Sequence, residues 1–295
     1  MAVLLAPPGA GRAALAGATP EGARDDATGS QLTELNKKIT NPVSNIWSLA
    51  FQQNNYYLDD LKRWQSNLQF QPLLPVALTR EWNLITRPVI QIFNSIPYRT
   101  ALAGGGDGGG EEEIRRTTGL GDSILAEMLS PGPELVGNWI IGLGPTFVFP
   151  SASTDWTGAG KWQAGPAVLF GYMSKKWILG AFVQNWTSFA GDHDRADTSQ
   201  MNIQPITAYF FGQGWSIGYS GNILADWRAR ASEAWTIPLG ASIGKVVKIG
   251  RLPLKIGLSG QYFPLRPDVT GPKWNIQFAV TPVLPKLIRG EIFAE

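Results

Sequence analysis

The chain contains no cysteine, which excludes disulfides, thiol nucleophiles and thiolate metal ligands and leaves the compartment unread from redox chemistry. It holds one histidine, His193, so no metal site built on two imidazoles exists. Charge is scarce: Asp, Glu, Lys and Arg make up 16% of the residues, against roughly 25% in soluble domains. The net charge is only +2, too balanced for a nucleic-acid surface. Long apolar runs are also missing. A spanning helix needs about 18 apolar residues. The longest apolar stretch here, VGNWIIGLGPTFVFP, is broken by Gly, Asn, Pro and Thr.

What the chain does have is tryptophan, glycine and alternation. Twelve Trp and 34 Gly accompany short segments of period two. In KWNIQFAVTPVLP, Trp274, Ile276, Phe278 and Val280 alternate with Asn275, Gln277, Ala279 and Thr281. In WQSNLQFQPLL, Trp64, Leu68, Phe70 and Leu74 alternate with Gln65, Asn67, Gln69 and Gln71. WSIGYSGNI, WTIPLGASI and LPLKIGLSGQY repeat the pattern. Successive side chains of a strand point to opposite faces, so each segment predicts one greasy and one polar face. Twelve strands are expected, near 43–53, 64–74, 82–93, 121–130, 138–149, 161–173, 176–189, 200–211, 215–223, 235–243, 252–262 and 273–285.

Connection lengths and charge add a second regularity. Short links such as MSKKW and FGQGW alternate with longer ones such as PSASTDWTGAGKW, and charges crowd into the links. Trp64, Trp82, Trp139, Trp162, Trp177, Trp215, Trp235 and Trp274 each open a strand just after a link, which predicts aromatic rings at two membrane interfaces. A soluble barrel would need a water-compatible outer face, and charge-free outer faces do not supply one. Each Leu, Ile, Phe or Trp moved from water into lipid gains about 1.5–3 kcal/mol. The fold class is therefore all-β: a closed antiparallel transmembrane β-barrel of about 12 strands, whose closure removes the edges that lipid cannot satisfy. Its partner is the lipid bilayer of the bacterial outer membrane. The expected division is a leader with a short helix over 1–40, then the barrel over 41–295 with 94–122 as a long external loop. For the leader, a truncated secretory signal and a plain Ala/Gly/Pro segment stay open. The helix is expected over 29–39, capped by Ser30.

The phrases LNKKITNPVSNIWSLAFQQNN, EWNLITRPVIQIFNSIPY, TGLGDSILAEMLSP, GKWQAGPAVLFGYMSKKWILGAFVQNWTSFAG and SQMNIQPITAYFFGQGWSIGYSGNILADW resemble a family of bacterial outer-membrane proteins. That family is filed under the meta-pathway of phenol degradation and is often labelled "neuromedin U" or "transporter". The resemblance covers roughly residues 35–290. It implies an outer-membrane barrel moving small molecules and carries no catalytic motif. The chain departs from the family in its AGGGDGGGEEE segment and in its leader.

Catalytic and metal chemistry find little support. Asp192, Asp194 and Asp197 flank His193 without the spacing of a calcium loop. GASIG at 240–244 matches a nucleophile pattern, but it lies within an alternating strand and not at a strand-to-helix turn. No enzyme, cofactor, metal or nucleic-acid role is expected. The lumen is expected to be lined by Gln65, Asn67, Gln69, Gln71, Gln163, Gln184, Asn222, Gln261, Asn275 and Gln277, with Arg87, Glu127 and Lys255 joining them by phase. The three charges either form ion pairs that brace or plug the lumen or set a selectivity constriction in a passive channel for small, aromatic or apolar solutes. A structural barrel with a plugged lumen is the alternative, with 30–40 as the plug, and an outer-membrane hydrolase is a weaker third reading. The sequence sets no oligomeric state.

Overall fold

The computed structural model describes residues 20–101, 112–285, 288 and 290–293, the side chains of 20–27 and 101 excepted. Residues 1–19 of the expected leader lie outside this set. The chain opens with helix α1 (Pro20–Thr40), then β1 (Trp47–Leu58), β2 (Arg63–Ala77), β3 (Trp82–Ala101), β4 (Glu112–Gly119) and β5 (Ser123–Pro131). A short helix α2 (Pro133–Val136) leads to β6 (Trp139–Phe149), β7 (Lys161–Met173), β8 (Trp177–Gly191) and β9 (Ser199–Gly212). The wall ends with β10 (Trp215–Tyr219), β11 (Ile223–Asp226), β12 (Trp235–Ile249), β13 (Leu252–Leu265) and β14 (Pro272–Leu284). β4 and β5 both pair with β3, and β10 and β11 both lie between β9 and β12. Each of these two pairs fills one place in the wall, which makes a 12-stranded antiparallel barrel. It closes where β1 pairs with β14, with Phe51 opposite Val280.

All twelve expected strands are present, but several are longer than the alternation marked. β1 runs five residues past its expected end, through Asn54–Leu58, because its amides pair with β2 and β14. The link after it shrinks to residues 59–62, and that between β12 and β13 to 250–251. The segment expected as a loop over 94–122 is largely a ribbon: Asn94–Ala101 pairs with Glu112–Gly119 in register. Polar residues such as Arg99, Arg115 and Arg116 keep the ladder going where no hydrophobic face is needed.

The outer wall is apolar. Leu143, Phe170, Leu239, Leu258 and Ile276 are each more than half exposed, and Trp274 and Phe278 nearly so. So continuous an exposed apolar belt is a membrane surface, not an aqueous one, and a closed antiparallel barrel is the strand architecture that satisfies every backbone group in lipid. Among the described residues no helix is long and apolar enough to span a membrane.

The two ends of the barrel differ. Near the short links, the interior is packed with Ile85, Ala126, Met128, Ile140, Leu169, Ile178, Phe182 and Phe210, against which Val43 rests. α1 enters the same end against β9, β10 and β12. It is held there by Asn36, fully buried, whose Nδ2 donates to Gly214 O at 2.8 Å and to Ser216 Oγ at 3.1 Å. Gly214 lies in the β9–β10 link at φ +78°, a conformation that suits glycine. Its N–H donates to Thr33 Oγ1.

Candidate functional site

The interior nearer the long links is polar. An inward-facing belt of amides crosses five neighbouring places in the wall. On β3, Gln91 donates to Asp122 O at 3.0 Å. Asn67 on β2 donates to Gln91 Oε1 at 3.0 Å and to Asn94 Oδ1 at 2.5 Å. Asn54 on β1 donates to Asn67 Oδ1 at 3.4 Å. Asn275 on β14 donates to Asn54 Oδ1 and to Gln261 Oε1 on β13, both at 3.2 Å. Gln261 donates to Ser220 Oγ at 2.9 Å, and Gln277 Oε1 accepts from Ser220 and Ser259. Side-chain amides carry both donors and acceptors, so such a chain closes on itself without a charge. It also fixes each member's orientation.

Inside this belt lies a cavity of about 520 Å³, and below it a second of about 320 Å³. Gln65, Gln69, Gln71, Arg87, Gln184, Asn222, Gln261 and Gln277 line the first. Asn67, Gln163 and Asn275 also point inward but are buried among neighbours. Gln52, Asn54, Tyr56, Asn202 and Gln204 line the upper cavity too and were not anticipated. The signal for β1 was the QQNN run, whose polarity reads as a loop unless its alternation is followed inward. On β10 Tyr219 keeps the phase of Trp215 and Ile217; it borders both cavities beside the gap between β10 and β11 and donates its hydroxyl to Pro238 O at 2.7 Å.

Five residues line both cavities: Gln71, Arg87, Gln204, Pro205 and Tyr219. Arg87 Nη2 donates to Gln71 Oε1 at 3.3 Å, and its guanidinium lies 5.1 Å from the centre of the Phe182 ring. Lys255 lines the lower cavity, where its Nζ donates to Thr40 Oγ1 of α1 at 2.7 Å. The C-terminal turn of α1 therefore forms the floor of the lower cavity, together with Ile39 and Pro42.

Glu127 does not join them. Thr86 lies opposite Glu127 and Arg87 opposite Ala126, which places Glu127 on the outer wall while Ala126 and Met128 point inward. The expected placement of Glu127 in the lumen is corrected for a plain reason. In SILAEML both faces are apolar, so hydrophobicity does not set the phase. An ion pair between Arg87 and Glu127 is ruled out with it.

The eight tryptophans divide by end. Trp82, Trp139, Trp177 and Trp215 follow the short links at one end, and Trp64, Trp162, Trp235 and Trp274 follow the links at the other. Seven of them pack on another ring, as Trp177 does on Tyr209 at 4.5 Å and Trp274 on Tyr262 at 4.7 Å.

The remaining motifs stay apart from the cavities. His193 is exposed in the β8–β9 link. Asp197 in that link pairs with Lys161 Nζ at 3.2 Å, and the hydrogen bond and charge of Lys161 hold its carboxyl below the usual aspartate range. Ser242 of GASIG sits mid-strand and donates to Gly218 O. Among the described residues no group of three or more potential ligands could hold a metal ion.

No protein-family model matches the chain, and no curated protein matches it. Solved structures do. A crystal structure of an outer membrane channel from Pseudomonas putida F1 is 14% identical, covers 81% of this chain and 94% of its own, and superposes with a TM-score of 0.52. The NanC porin is 8% identical over 80% of this chain and 99% of its own, TM-score 0.45. The CymD monoaromatic hydrocarbon channel is 9% identical over 86% and 92%, TM-score 0.38. The first of these likenesses establishes the fold: this chain is a barrel of the outer-membrane type.

Proposed function

We propose that this protein is a passive channel of the bacterial outer membrane for small solutes. The observation that carries the reading is the pair of stacked cavities sharing Gln71, Arg87, Gln204, Pro205 and Tyr219. A solute entering among the amides would pass Arg87, reach the lower cavity and leave past Lys255 and α1. Amides suit such a path because they can replace lost water contacts without binding tightly. The two rings of tryptophan would sit at the two headgroup levels. The Pseudomonas putida neighbour is an outer membrane channel, and the resemblance to the phenol meta-pathway family favours small aromatic or apolar solutes.

A second reading, a plugged structural barrel, draws on α1. Its last turn blocks the lower cavity, and the apolar packing beside it narrows the same end. Planar-bilayer conductance and liposome swelling separate the two. The full chain is expected to conduct, and a chain lacking residues 1–40 to conduct several-fold more. Conductance only after the deletion would establish the plugged barrel. No conductance and no swelling in either form would end the channel reading.

A further inference from the structure

We propose that the junction of the two cavities is a binding site for a small organic monoanion. Its carboxylate would be held by Arg87 and its apolar body would lie beside Phe182. This rests on the channel reading and names the solute class that the channel would take.

The argument starts from a charge inventory. Among the described residues that line the two cavities, only Arg87 and Lys255 are charged side chains, and both are cations. Among the described residues no aspartate or glutamate lines either cavity. The one carboxylate that the sequence offered as a neighbour, Glu127, faces outward. Among the described residues Arg87 makes no ion pair, and its one protein acceptor is Gln71 Oε1. A guanidinium carries five N–H donors in a fixed fork. Most of that fork is thus turned to the cavity rather than to protein. A cation held in a protein wall without a counter-charge favours whatever anion can reach it.

The geometry also selects among anions. A guanidinium fork matches a carboxylate with two parallel hydrogen bonds. There is one fork at the junction, and the other cation, Lys255, already donates to Thr40 Oγ1. A dianion such as phosphate would therefore leave charge uncompensated. The side-chain amides of Gln69 and Gln204 supply donors for the remaining lone pairs. Beside the fork the wall turns apolar, with Phe182, Val89 and Ile124. Together these call for a charged head and a hydrocarbon body. The upper cavity, about 520 Å³, lies within the usual range of roughly 300–1,000 Å³ for small-ligand sites.

The test uses the full-length protein refolded in detergent, with benzoate, benzamide and inorganic phosphate as probes in titration calorimetry. Benzoate is expected to bind about tenfold more tightly than benzamide, which has the same shape and no charge. It should also bind more tightly than phosphate. Arg87→Gln should erase the preference for benzoate over benzamide, and Arg87→Lys should keep only part of it. Phe182→Leu should weaken benzoate several-fold. Heat-modifiable gel mobility checks that each variant is folded; if Arg87→Gln does not fold, the wild-type comparison of the three probes decides alone. Equal binding of benzoate and benzamide, an undiminished preference in Arg87→Gln, or phosphate binding as tightly as benzoate would each overturn the site. Conductance without a benzoate preference would sink this proposal and leave the channel standing. Benzoate binding without conductance would sink the channel and leave the site.

Discussion

Thr86 Oγ1 donates a 2.8 Å hydrogen bond to Glu127 Oε2 across the β3–β5 pair, on the outer wall of the barrel. Glu127 stands four residues from Pro131, which pairs with Trp82 at the short-link end. That distance is about 13 Å along the strand, well into the apolar belt. The hydroxyl gives the carboxylate a partner where lipid gives none.

The expected consequence is a carboxyl group that reagents reach from the hydrocarbon side. Dicyclohexylcarbodiimide, which partitions into lipid, should label Glu127 in proteoliposomes, and Glu127→Gln should abolish the adduct in mass spectrometry. Glu127→Leu should fold at least as well as the wild type and gain up to about 2 kcal/mol in urea unfolding, because an acidic group on the lipid face costs less than that. A loss of stability in Glu127→Leu, or labelling only by a water-soluble carbodiimide, would place the side chain elsewhere.

The same residue marks the limit of what the sequence discloses. Where one face is polar, as in Trp274–Thr281 or Trp64–Gln71, period two alone sets the phase of the strand, and Gln65, Gln69, Gln71 and Gln277 border the upper cavity. In β5 the inner face is as apolar as the outer, because the short-link end is packed with side chains instead of water. The pattern then carries no phase. Strand ends were hidden for a related reason: Gln52–Asn55 and Arg115–Thr118 pair as strands with no apolar stripe to announce them. The site's centre was half legible. Arg87 interrupts an apolar strand and stands out, but its neighbours Phe182, Gln204 and Tyr219 come from β8, β9 and β10, and only barrel closure brings them together.

Thr146 supports the cavity from behind. It is fully buried, accepts from Gln184 Nε2 at 2.9 Å and from Trp186 Nε1 at 3.0 Å, and donates to Leu125 O at 3.2 Å. Valine has nearly the same shape but no hydroxyl, so Thr146→Val strands two buried donors. The expected cost is about 2–3 kcal/mol, read as a lower urea midpoint by tryptophan fluorescence. Thr146→Ser keeps the oxygen and should lose about 1 kcal/mol. Equal stability of Thr146→Val and wild type would show that the three groups are not coupled. Gln184 lines the upper cavity, so the valine variant should also alter conductance, while the serine variant should not.

The β8–β9 link provides a pH-dependent contact whose direction follows from Asp197. Its carboxyl accepts from Lys161 Nζ at 3.2 Å and from Ser188 Oγ at 3.3 Å, with Arg228 at 3.8 Å. Lys161 is buried at the start of β7, whereas Asp197 is more than half exposed. The hydrogen bond to Lys161 leads the causes that lower the aspartate's pKa from 3.8. A lowered folded-state value means that the ionised form favours the docked link. The contribution is complete above 3.8 and is lost as pH falls below it, through the depressed folded value. The chain has no cysteine, so Ala196→Cys gives a single attachment point for a nitroxide beside Asp197. Label mobility by electron paramagnetic resonance should stay constant from pH 7 to about 4 and rise only below 3.8. In Asp197→Asn and Lys161→Met the label should be mobile throughout. A rise in mobility already complete between about pH 7 and 5 would remove Asp197 from the account.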